Sequence, residues 1–208
     1  MFVPLLQFLM IARISAIGEG GAVAEIQVFN RTGIPAATYE RAVNHAQELF
    51  EKAGIPTHWR RCPNPHTVPK EKACPMVEGA FLLGVVREDK KLHSQSDSLT
   101  IGYTLRTAGR NNAAVIWPRV QTFSALLGIN PDLLLGFAMA HEIGHLLSPV
   151  GFHSIGVMDG TWDREDALDM ARGRLGFCDR DAVQMREQVH RMAQSGESNR
   201  QTHAVAAP

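Results

Sequence analysis

No sign of charge prevails in this 208-residue chain: Lys plus Arg and Asp plus Glu number 21 each. That balance removes the basic field by which a protein gathers nucleic acid or clings to an anionic membrane, so neither is an expected partner. Cysteine is scarce. Cys62, Cys74 and Cys178 are the whole complement, and no two form a C-x-x-C pair, which argues against a thiolate zinc site or a thioredoxin-like motif. Internal repeats and low-complexity blocks are missing as well. No apolar run reaches the length of a bilayer span, and the N-terminal one, Met1 to Ala12, has no Lys or Arg before it.

What is present is a globular composition, 45% hydrophobic and 20% charged, at a length that suits one domain. The apolar start has the length of a signal-peptide h-region. It leads to Ala22-Val23-Ala24 before Glu25, a small-residue tripeptide of the kind cleaved on export. The expectation is therefore a signal peptide over residues 1–24, a domain over 25–194, and a polar, disordered tail over 195–208 in a secreted or periplasmic protein; the alternatives for the start are a first core strand or a misassigned start codon. Cys62 and Cys74 flank a loop holding Pro63, Pro65 and Pro69. A bridge there would stiffen a segment with little core of its own and would suit an oxidising compartment; two unrelated thiols are the other reading. Cys178 is expected as a small buried hydrophobe.

Hydrophobic periodicity gives the order of elements. Residues 25–30 alternate like a strand. Tyr39, Ala42, Val43, Ala46, Leu49, Phe50 and Ala53 recur at helical steps over residues 37–53, and Gly54 and Pro56 end that helix. Trp59 belongs to a short strand. Residues 79–86 form a near-continuous apolar run, the signature of a central strand covered on both faces. Residues 87–112 are polar and turn-rich, apart from Ile101-Gly102-Tyr103, and residues 113–117 read as another strand. A short helix covers residues 120–127. Asn130-Pro131-Asp132 then supplies an N-cap, a first-turn proline and a first-turn acid for a helix running to Ser148-Pro149. Short helices are expected over residues 163–171 and from Asp179 onward. The order fits a single α+β domain.

The chemistry lies in His141-Glu142-Ile143-Gly144-His145. Histidines four apart on a helix share one face, about 6 Å from each other, so both imidazoles reach a single ion. Glu142 lies ~100° round the helix, badly placed to ligate but well placed to take a proton from water and pass it to a leaving group. Ala138, Met139, Ala140, Ile143, Leu146 and Leu147 make this helix apolar nearly all round. Two histidines and a glutamate buried in such a helix are costly unless paired or metal-bound. Gly144 leaves room for another backbone or a substrate. A third ligand must come from outside the helix. His153 follows Gly151 after a span long enough to fold back; Glu165, in the acidic run 163–166, and Asp159 are the alternatives.

From His153 the chain reads Ser154-Ile155-Gly156-Val157-Met158. With His141, Glu142, His145 and Gly151, this resembles the metzincin metalloproteases, which carry His-Glu-x-x-His, a glycine turn, a third histidine and a methionine turn beneath the metal. Two extra residues separate the second and third histidines here, and Ser148 stands where the family has its glycine. The resemblance spans residues 25–160 and is specific only over 141–158. It implies a zincin-like fold, with a mixed-sheet N-terminal subdomain, an active-site helix and a small loop-rich, helical C-terminal subdomain. It further implies zinc held by His141, His145 and His153, Glu142 as general base, Met158 packing beneath the ligands, and a peptide or protein substrate. In such folds an edge strand pairs with extended substrate; residues 113–117 are the expected strand, and Tyr103 either faces the oxyanion or is an ordinary strand-end tyrosine. The reading is a zinc endopeptidase. Its rivals are an inactive zinc-stabilised binding module on the same fold and a zinc hydrolase of a non-peptide amide. The open fourth position and the neighbouring Glu142 favour an enzyme over a structural site.

Overall fold

Alternation along the strands decides which side of the sheet carries the core. Strand β1 (Ala24–Asn30) pairs in parallel with β2 (Thr57–Cys62) on one side and with β3 (Phe81–Val86) on the other. Strand β5 (Arg110–Ile116) runs parallel to β3, and β4 (Gly102–Thr107) closes the order β2-β1-β3-β5-β4 as an antiparallel edge. Ile26, Val28, Phe81, Leu83, Val85 and Val115 are fully buried on one face, as the two-residue strand period requires. This computed structural model describes residues 22–64, 66–87, 100–107, 110–148 and 152–205, with side chains described up to residue 195. The expected signal segment up to residue 21 and the Gly151 turn lie outside them. Among the described residues, no single helix is long and apolar enough to cross a membrane.

The buried face is covered by α1 (Ala36–Lys52) and α3 (Pro131–Leu147). They cross where α3 has no side chain: a β-carbon on Gly136 would lie 2.6 Å from His45 Cβ and 2.7 Å from the Ala42 carbonyl oxygen. The helix α2 (Trp117–Leu127) precedes α3 and ends at Gly128 in the left-handed conformation. Asn130 occupies the N-cap position of α3, but its side chain caps no backbone amide. Asp132 instead accepts a charge-assisted bond from Arg41 of α1.

The opposite face is closed by the cysteine loop. Cys62 and Cys74 are bridged, with α-carbons 5.4 Å apart. Gln27, fully buried in β1, donates to the Pro75 carbonyl at 2.7 Å and accepts from the Val77 amide at 3.3 Å. A buried amide in a central strand is stable only with such partners. They turn Gln27 into the peg that holds the loop down.

Several expectations need correction. Strand β3 is not sealed on both faces, since Leu82 and Val86 stay half-buried. The stretch around Ile101-Gly102-Tyr103 extends into a full strand, and β5, containing residues 113–116, is flanked on both sides by β3 and β4. Among the described residues the edges are therefore β4, next to β5, and β2. Cys178 is half-buried rather than buried. Beyond α4 (Arg164–Ala171), the last helix α5 (Asp179–Val205) continues through residues 195–205, where a disordered tail was expected.

Candidate metal centre

The helix α3 delivers two imidazoles to one point. His141 and His145 have ring centroids 4.5 Å apart, and their Nε2 atoms lie 2.9 Å from each other. His153, on the loop after the helix, completes the group, 5.3 Å from the His141 ring and 4.8 Å from the His145 ring. One ring nitrogen of each lies within 4.8 Å of the others. Tetrahedral ligands at zinc-nitrogen bond lengths stand about 3.3 Å apart, so small adjustments bring this set onto one ion.

The tautomers suit that use. His141 Nδ1 is 2.8 Å from the Val157 carbonyl oxygen, to which an N–H must donate, and Nε2 keeps its lone pair. Burial pushes His141 down to about 4, the Val157 bond and Asp159 pulling up and His153 pulling down. His145 is lowered to about 3, by burial first and then by His141, His153 and Arg106. Both rings are thus neutral at ordinary pH, the form that binds a metal.

The surroundings fix these rings. Met158 is fully buried beneath α3, and a β-carbon on Gly144 would fall 2.4 Å from its Sδ and 3.1 Å from Met185 Cε. The space at Gly144 is thus taken by methionine side chains, not by a backbone or a substrate. A β-carbon on Gly160 would come within 3.1 Å of His153 Nδ1, so a side chain there would crowd that ring. Trp162 stands edge-on to His141, with centroids 5.5 Å apart, and its Nε1 donates to the Gly156 carbonyl at 3.1 Å. Arg106, on β4, donates to the carbonyls of His145 and Ser148, satisfying orphan acceptors at the end of α3.

Glu142 is 5% exposed, and burial raises its carboxyl to about 8. A dication beside it would pull that value back down. The carboxylate sits against β4: a β-carbon on Gly102 would lie 2.4 Å from Glu142 Oε1. Next to His141 opens a cavity of about 190 Å³, walled by Ile101, Phe123, Leu127, Leu134 and Trp162, with Asp159 and Thr161 also in its lining.

Glu165 and Asp159 do not belong to the three-imidazole group. Glu165 is exposed in the first turn of α4, its amide held by the Asp163 carboxylate of a capping box. Asp159 lies near His141, but its Oδ1 accepts the Thr161 amide at 2.9 Å. Tyr103 is half-buried on β4, next to Gly102 in sequence. Gly102, Arg106, Gly160 and Trp162 are placed around the site by the fold, not by any sequence pattern at the site itself. The clue to Gly102 was a glycine in a strand, which marks close approach of another group.

No protein-family model matches the chain, and no curated protein is similar to it. Among solved structures, the crystal structure of an archaemetzincin from Methanopyrus kandleri is similar at 18% identity and a TM-score of 0.47, over 82% of this chain and 98% of that one.

Proposed function

We propose that the chain is a zinc-dependent metallohydrolase that cleaves peptide bonds, with His141, His145 and His153 as ligands and Glu142 as general base. The observation that carries the reading is the convergence of three imidazole nitrogens within 4.8 Å, two of the rings neutral and one oriented by the Val157 carbonyl. A purely structural zinc site needs four closed ligands and no base beside it. Three ligands, a buried carboxylate and an adjoining cavity fit catalysis better.

When bound, zinc supplies Lewis acidity, which acidifies water and polarises a carbonyl. The chain's residues do the rest. Glu142 takes the proton of the attacking water on its carboxylate and delivers it to the leaving nitrogen. The outer edge of β4 has strand hydrogen-bonding positions for an extended peptide. The apolar cavity beside His141 takes one uncharged side chain of that peptide and excludes water from around it. The Cys62–Cys74 bridge supports placing the protein in the periplasm or outside the cell.

The test is Glu142→Gln, assayed against a peptide library. Hydrolysis should fall by about 10²–10⁴-fold while zinc is retained. Undiminished cleavage would remove Glu142 from the reaction.

A further inference from the structure

His153 is the one imidazole of the three that α3 does not hold, and the residues on both sides of it are gripped from α5. On one side, the Arg180 guanidinium lies over the Phe152 ring, 4.9 Å from its centroid. On the other, Ser154 Oγ donates to Asp181 Oδ2. Arg180 and Asp181 are themselves in contact, with Nε 3.7 Å from Oδ1. Between these grips and the body of the domain, the Val157 amide donates to the Gly176 carbonyl at 3.0 Å, and Gly156 bridges to Phe177.

Asp181 is the unusual member. It is 0% exposed, and its Oδ1 has no hydrogen-bond partner among the described residues. A carboxylate taken wholly out of water is costly unless its surroundings compensate. The first turn of α5 contributes the favourable end of a helix dipole, and Ser154 contributes one charge-assisted bond. An asparagine or a small apolar residue would fill the place more cheaply if packing were the only need.

We propose that Asp181 is a positioning residue for the third imidazole: through Ser154 it fixes the backbone that carries His153. Loss of the bond leaves the Ser154 amide's bond to the Met158 carbonyl and the Phe152–Arg180 contact as the remaining grips, and loosens His153 from the other two rings. Partners that orient a ligand in this way typically govern metal affinity by 10–100-fold.

The inference rests on the zinc reading above. It is tested on the full chain by zinc affinity, measured by competition with a chromophoric chelator, alongside thermal unfolding without metal. Asp181→Ala and Ser154→Ala should each weaken zinc about 10–100-fold. The double variant should be no weaker than the worse single one, because both remove the same bond. Asp181→Asn keeps an acceptor oxygen for Ser154 and should recover most of the loss. Ser154→Ala removes only a half-buried hydroxyl, so it reports even if Asp181→Ala folds poorly. A wild-type chain that binds zinc while folded Asp181→Ala and Ser154→Ala bind it equally well overturns this inference alone. A wild-type chain that takes up no zinc overturns the metal reading and this one with it.

Discussion

Met158 lies directly beneath Gly144, so close that a β-carbon at position 144 would stand 2.4 Å from its sulfur. The loop that carries His153 is in this way seated on the helix that carries His141 and His145. Alanine at position 144 would gain about 1 kcal/mol in helix propensity, against about 1–3 kcal/mol for overpacking. Gly144→Ala should therefore destabilise, and Met158→Ala should cost about 2–5 kcal/mol through its cavity. The pair should be coupled: in urea unfolding, the double variant should lose less than the two single losses added. Strict additivity would mean the two residues do not share the space.

Gly102 makes room for the Glu142 carboxylate on the edge strand. Gly102→Ala pushes Glu142 aside without touching a histidine. The expected result is a drop in kcat on the order of 10²-fold, the scale of a misplaced catalytic group, with zinc content unchanged. Loss of zinc together with activity would show that Gly102 supports the ligands rather than the base.

Asp132 ties the start of α3 to α1 and makes stability depend on pH. Burial alone would raise its carboxyl, but the bond and charge of Arg41 outweigh it, and the pKa lies below its ordinary value. A depressed carboxylate contributes stability above its unfolded pKa, about 3.9, and loses it as pH falls through the folded value. Arg41 is 56% exposed, so the contribution is modest, about 1 kcal/mol. Asp132→Asn should be less stable than wild type by that amount at pH 7, with the gap closing below about pH 4. A gap that is constant with pH would contradict the assignment.

The Cys62–Cys74 bridge spans a separation of 12 residues on the sheet face opposite α3. Replacing both cysteines with serine should lower stability by about 2–3 kcal/mol, the chain-entropy value for such a loop. Zinc affinity should not change, since the loop and the histidines lie on opposite sides of the sheet. A matching loss of zinc would tie the loop to the site.

The parts legible in the sequence were those whose cause is local. Helical spacing exposed α1, strand alternation exposed β1, and the four-residue step of His141 and His145 put both on one face. His153 was expected from chain reach together with imidazole ligand chemistry, with Glu165 and Asp159 as alternatives. Strand β4 was hidden because an edge strand with one neighbour needs little apolar surface, and GYTLRT is half polar. The strand expected at the edge was β5, since position relative to α3 does not reveal which strand lacks a partner. Arg106 and Asp181 act across 39 and 27 residues of sequence, and such bonds leave no periodic trace. The part of α5 beyond Ser195 read as a tail for a similar reason, because its sequence has no apolar stripe to announce a helix.

If His141, His145 and His153 hold one metal ion, elemental analysis of the purified full chain should show it as zinc. The wild-type chain should contain about one zinc, His153→Ala should lose most of it, and Glu165→Ala should lose none. Wild-type protein without zinc, or zinc that survives His153→Ala and is lost in Glu165→Ala, would contradict that ligand set.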